Sequence, residues 1–457
     1  MKKEMLRAFV PTGMLGYGFP MDEFRRGIDM HPDFIAVDSG STDSGPQKLA
    51  LGSMTCTRAA YEEELGIILD AGLKHNIPIY LSSAGGDGTN RHVDLFAEIV
   101  RRLSSERGWE LNMALIYSDM EKPMVLEKLK RGKVTPCGPV EPLTADEVEQ
   151  STVIVAQMGA EPFLKVLREK PDIDLIITGR SYDPAPTAAA AIYHGFDPGL
   201  AWHMGKIMEC GSLCAEPSGR CIVGELHQDF FDLIPMGEKQ RCTPYSVAAH
   251  TLYEKSHPYL LPGPGGTLDL SECRFDQISE TVVRVSGSRF LPADKYTVKL
   301  EGARRCGYRS ICVAGIRDPI LISRIDPFLD EVRRLTEQMP DDQREGAQLI
   351  FHVYGKNGVM GELEPNPGYV PQELCIIVEV AAPTQEIAQA VCNRARIGLL
   401  HNPYEGRMAT GGNIALPFTP LEIPLGEVCA FNVYHLMEID NPEDLFPVKY
   451  EEVRQHA

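Results

Sequence analysis

Ile77-Pro78-Ile79-Tyr80-Leu81-Ser82-Ser83-Ala84-Gly85-Gly86-Asp87-Gly88-Thr89-Asn90 decides how this chain reads. An apolar run enters a glycine-rich turn, and His92 to Val100 then repeats apolar residues at helical spacing. The local reading is strand, turn, helix. Such a turn aims free backbone N–H groups toward a helix N-terminus, where geometry and dipole favour an anion. Gly85, Gly86 and Gly88 are therefore candidates for cradling a carboxylate or phosphate. The alternative is a tight β–α turn whose glycines only permit unusual backbone angles. Neither G-x-G-x-x-G nor a Walker A motif is matched, because no Gly-Lys-Ser/Thr follows Gly88.

Outward from this turn the pattern repeats. Asp33 to Val37 reads as a buried strand delivered into Asp38-Ser39-Gly40-Ser41-Thr42-Asp43, and Asp174 to Ile177 as one delivered into Thr178-Gly179-Arg180-Ser181-Tyr182-Asp183. Ala59 to Leu73 and Thr187 to Tyr193 read as helices, and Thr144 with Glu147 as a capping box. Strand and helix alternate at least five times before Gly195, which predicts a parallel, helix-covered, Rossmann-like α/β sheet over residues 1–230. Ligands of such sheets sit beyond the strand C-terminal ends, where the three unusual loops fall. Residues 231–457 change texture to alternating strands such as Thr281–Val285 and a helix from Gln385 to Leu400, which predicts an α+β domain.

At 457 residues, with 43% apolar and 24% charged residues, two domains with sizeable cores are expected. The formal net charge of −19 argues against nucleic-acid or anionic-membrane partners but leaves a small anionic substrate open. No apolar stretch reaches the roughly 20 residues of a spanning helix, and twelve scattered cysteines lack a C-x-x-C pair. Free thiols in a cytoplasmic protein are the expectation.

Asp38, Asp43, Asp87 and Asp183 are the candidate catalytic residues. If they converge they could exchange protons, or hold Mg²⁺ through oxygen, the cation such a set suits. The alternative for each is an Asx turn or a helix cap. Arg180 could hold an anion bidentately or make a structural ion pair, with Ser39, Ser41 and Thr42 as further donors. His203, Lys206, Glu209 and Cys210 form a second cluster at helical spacing, in which Cys210 is either a nucleophile or an inert buried thiol. Nothing matches G-x-S-x-G.

These motifs, with Glu209-Cys210-Gly211, His257-Pro258-Tyr259, Val285-Ser286-Gly287 and Gly411-Gly412-Asn413-Ile414-Ala415, resemble the acyclic terpene utilisation (AtuA-like) family along almost the whole chain. The resemblance implies an enzyme of carboxylic-acid or acyl-CoA catabolism and adds Glu209, Cys210 and Asn413 to the substrate-binding candidates. Lys206 departs from the pattern, which has His before Glu-Cys-Gly. The leading expectation is a lyase or hydro-lyase acting on a hydroxy or unsaturated acid by general acid–base catalysis. The other is a non-catalytic ligand-binding or scaffold subunit of a complex with a small companion protein. Expected partners are a small carboxylate or acyl-CoA, that companion subunit, and further copies of the chain.

Overall fold

The computed structural model describes residues 3–253, 257–409 and 413–455. The first strands and helices run β1 (Leu6–Val10), α1 (Met21–Asp29), β2 (Phe34–Asp38), α2 (Pro46–Leu51), α3 (Arg58–His75), β3 (Ile79–Ser82) and α4 (Asn90–Arg107). They continue with β4 (Leu111–Ile116), α5 (Lys122–Lys130), β5 (Val134–Pro136), α6 (Ala145–Gln150), β6 (Val153–Gln157), α7 (Glu161–Glu169), β7 (Leu175–Thr178), α8 (Ala185–Tyr193) and α9 (Pro198–Met208).

Period-two burial places successive strand residues on opposite faces of one sheet. Phe9, Ile35, Val37, Ile79 and Leu81 pack with Phe24 of α1, Leu65 and Ile68 of α3, and Val93, Phe96 and Val100 of α4. Leu6, Ala8, Phe34, Ala36 and Tyr80 pack on the other face with Ala188 to Ala191 of α8 and Leu200, Met204 and Ile207 of α9. Each fully buried large apolar side chain contributes roughly 1.5–3 kcal/mol. The alanines of α8 leave its backbone free to lie close over the strands.

Five strands are parallel in the order β1-β2-β3-β7-β4. Four antiparallel strands extend this run beyond β1, and Val448–Val453 pairs antiparallel with β4, for ten in all. The helix-covered parallel run is thus present, but its strand order is not that of a Rossmann sheet. β6 reads from its sequence like its neighbours, yet it leaves this sheet and pairs antiparallel with Lys299–Ala303.

The chain forms two compact units, Met1–Arg304 with Phe431–Ala457, and Arg305–Ala430. The second carries antiparallel strands Gln348–Tyr354 and Leu374–Ala382 beside Tyr308–Ile316, covered by helices Ile325–Glu337 and Gln385–His401. Helix and antiparallel strand are therefore mixed there. Among the described residues, no helix is long and apolar enough to cross a membrane.

Candidate active site at the strand ends

The C-terminal ends of β2, β3 and β7 lie side by side, so their loops meet. Register sets Asp38 opposite Ser82. Ser82 Oγ donates to Asp38 Oδ1 at 2.7 Å, and the Gly40 amide donates to Oδ2 at 3.1 Å. Beyond β3 the ladder continues through the Ala84 amide to Thr178 O and the Ser83 amide to Gly179 O. The Arg180 amide then donates to Gly88 O at 2.9 Å. At Gly88 the backbone is left-handed (φ +67°), and a Cβ there would stand 2.2 Å from Arg180 N. Only glycine brings the two loops this close.

Arg180 is 2% exposed. Its Nε donates to Glu301 Oε2 at 2.8 Å and its Nη1 to Asp183 Oδ1 at 2.8 Å and Ser181 O at 2.7 Å. Lys299 Nζ reaches the other Glu301 oxygen at 2.7 Å. Burial opposes ionisation of Glu301, but Arg180 and Lys299 outweigh it and hold the carboxyl down at about 2. The structural ion pair weighed for Arg180 thus exists, with a partner far along the sequence.

Helix α9, capped by Asp197 on the Leu200 amide, carries Lys206 and ends at Glu209 and Cys210. Lys206 and Glu209 are buried and form an ion pair. Cys210 lies near enough to Asp183 for that charge to act on it. Burial first, then Glu209, pushes its thiol up to about 12. It is a thiol at neutral pH and no ready nucleophile.

The charges explain Asp38. Asp183, Glu301 and Glu209 are answered by Arg180, Lys299 and Lys206. Asp38 would be one anion too many, and it is 8% exposed. Burial and then Asp183 raise its pKa well above the ordinary carboxylate range, against the opposing pull of Ser82, Arg180 and Gly40.

The other candidates lie elsewhere. Asp43 sits in the short turn Thr42–Ser44, where Ser41 Oγ donates to it at 2.8 Å and accepts from its amide, so these two form a local cap. Ser39 is fully buried, and its hydroxyl has no partner among the described residues. Asp87 faces His92, a residue the helical pattern of the sequence absorbed as core. Asn413 belongs to the second unit and lines a hollow of about 470 Å³ with Arg317, Glu373 and Cys375. Gly411 and Gly412 lie outside the described residues.

Both oxygens of Asp38 accept from Ser82 and Gly40, and Asp183 Oδ1 accepts from Arg180. They fit hydrogen bonding better than an Mg²⁺ shell. Among the described residues the one group with metal-ligand spacing is Glu225, His227 and Asp232, where Arg7 and Arg284 already neutralise both carboxylates.

A family model described as acyclic terpene utilisation family protein AtuA matches residues 53–222 and 233–419. The chain belongs to this family. The match spans the glycine turn, Arg180, Asp183, Glu209 and Cys210, whereas Asp38 and Asp43 precede it. No curated protein and no solved structure matches the AtuA-family chain.

Proposed function

We propose that this AtuA-family protein is a lyase, of hydro-lyase or C–C lyase type, acting on a hydroxy or unsaturated carboxylic acid or its CoA thioester by general acid–base catalysis. The family description, acyclic terpene utilisation, suits a role in the breakdown of branched acids. The observation that carries the reading is the pair of carboxyls at the strand ends, Asp38 buried and bonded to Ser82 and Gly40, its pKa raised by burial and then by Asp183, and Asp183 held on Arg180. Two carboxyls whose surroundings treat them differently divide acid from base.

In the hydro-lyase form Asp183, which is 29% exposed at its side chain, removes the proton α to the carbonyl. The C–H electron pair becomes the new C=C bond, the C–O bond breaks, and Asp38 gives its proton to the departing hydroxyl, which leaves as water. Arg180 and Lys206 offset the charge of the enolate that forms between these steps. Ser39 and the glycine turn are the proposed seat of the substrate carboxylate or thioester.

The test is turnover of a panel of 3-hydroxyacyl and 2-enoyl thioesters and their free acids by the full chain, its Asp38→Asn form and its Asp183→Asn form. Loss of turnover in both variants, with circular dichroism unchanged, is the expected result. Wild-type turnover unaffected by Asp38→Asn would overturn it. Turnover that needs an added companion subunit and ignores both substitutions would instead identify a scaffold.

A further inference from the structure

The glycine turn that receives Arg180 at Gly88 meets a different group at Gly85, where a Cβ would stand 2.5 Å from Cγ of His92. We propose that His92, oriented by Asp87, is the proton-transferring residue of a second small-molecule site, which takes an oxyanion (a carboxylate or phosphate group) on Arg91. This rests on a separate cavity and is independent of the function proposed for Asp38 and Asp183.

Asp87 is 0% exposed and His92 1%. Asp87 Oδ1 stands 2.6 Å from His92 Nδ1 and also accepts from the Thr89 amide at 2.9 Å. In a neutral imidazole, an Nδ1–H donated to Asp87 leaves Nε2 as the nitrogen with the lone pair. A carboxylate that fixes the tautomer and direction of an imidazole is the arrangement by which general bases are held. Asp87 Oδ2 is buried with no partner among the described residues, a cost a purely structural pair would ordinarily avoid.

His92 lines a cavity of about 550 Å³ together with Gly52, Met54, Arg91, Leu95 and Arg101. That is the size of a small-molecule site. Asp94 and Glu98 complete its charged rim. Glu98 is paired with Arg58 and Arg101 with Glu451, while Asp94 accepts from Tyr117 Oη at 2.7 Å. Arg91 has no carboxylate partner among the described residues, and it stands one residue from His92 on the first turn of α4. Behind the pair, Asp119 is close enough for its charge to act on that of Asp87. Arg91, without a carboxylate partner among the described residues, and His92 thus share one cavity lining. An oxyanion on the first would set an adjacent O–H or C–H bond against the second.

The experiment is NMR of the full chain labelled with ¹³C at histidine Cε1, with the His92→Gln spectrum assigning the resonance. The spectrum is followed over pH ~5–8, the window in which imidazole changes charge. Asp87→Asn should move the tautomer, because Nδ1 loses its carboxylate partner. Inorganic phosphate or acetate should shift the resonance, and Arg91→Ala should abolish the shift. A response to phosphate alone assigns a phosphorylated ligand, and a response to acetate alone assigns a carboxylate. Asp38→Asn should leave the response intact, which separates this site from the strand-end one. A His92 resonance that ignores both anions would overturn the proposal.

Discussion

Gly88→Ala tests the closest approach on which the strand-end site depends. A new methyl group meets two separate penalties. The left-handed backbone at φ +67° costs an L-residue roughly 1–2 kcal/mol. The Cβ would also stand 2.2 Å from Arg180 N and 2.4 Å from its Cα, backbone atoms that cannot swing aside. Forcing such an overlap costs about 1–3 kcal/mol more. The expected loss is about 2–5 kcal/mol. Gly132 supplies the control, since its φ is +65° and a Cβ there meets nothing within 4 Å. Gly132→Ala should show only the backbone term, and the stiffer unfolded chain lessens both losses alike by about 0.4–1 kcal/mol. Urea unfolding followed by fluorescence reads both, because Trp109 and Trp202, the chain's two tryptophans, lie in the same compact unit as both glycines. Equal losses in the two variants would refute the steric reasoning. A larger loss at Gly88 with an unchanged m-value would support it.

Three further outcomes follow from the site. Glu301→Gln strands the buried Arg180 with Asp183 as its remaining carboxylate, and urea unfolding should show a loss of about 3–5 kcal/mol. Because the folded-state pKa of Asp38 is raised, its contribution to stability is full below the unfolded value of about 3.9 and declines as pH rises through the folded value. Asp38→Asn should remove that decline and leave the variant more stable than wild type near neutral pH, provided unfolding is compared at several pH values. With its thiol held at about 12, Cys210 should alkylate with iodoacetamide much more slowly at neutral pH than the exposed Cys306, as peptide mass mapping would show.

Much of the first unit was legible because its signals are local. The apolar run before Gly85, the helix around Tyr61 and Leu65, and the Thr144–Glu147 capping box depend on residues a few positions apart, and each is present. What depends on distant residues was not legible. β6 has the same apolar texture as β7, and only its partner at Lys299–Ala303 decides that it leaves the sheet. Arg180 finds Glu301 across 121 positions, so neither sequence window shows the pair. Asp43 and Asp183 sit in similar Gly/Ser-rich loops, yet one caps a turn with Ser41 while the other faces a guanidinium. His92 was hidden for another reason. It falls on the inward stripe of α4, where a core residue is the ordinary reading, although Asp87 stands only five positions before it.

The late insertion of β7 between β3 and β4 has a consequence for how the protein is made. As the chain leaves the ribosome, β1, β2 and β3 can zip together in order, but β4 emerges with no neighbour to join. It must wait for Leu175–Thr178 on one flank and for Val448–Val453 on the other. A nascent chain stalled between these points displays bare strand edges, the surfaces that invite pairing with other chains. Trimming at residue 447 would leave the outer edge of β4 bare permanently. Expression of such a fragment should be limited by aggregation during synthesis, even though every residue of the strand-end centre is present.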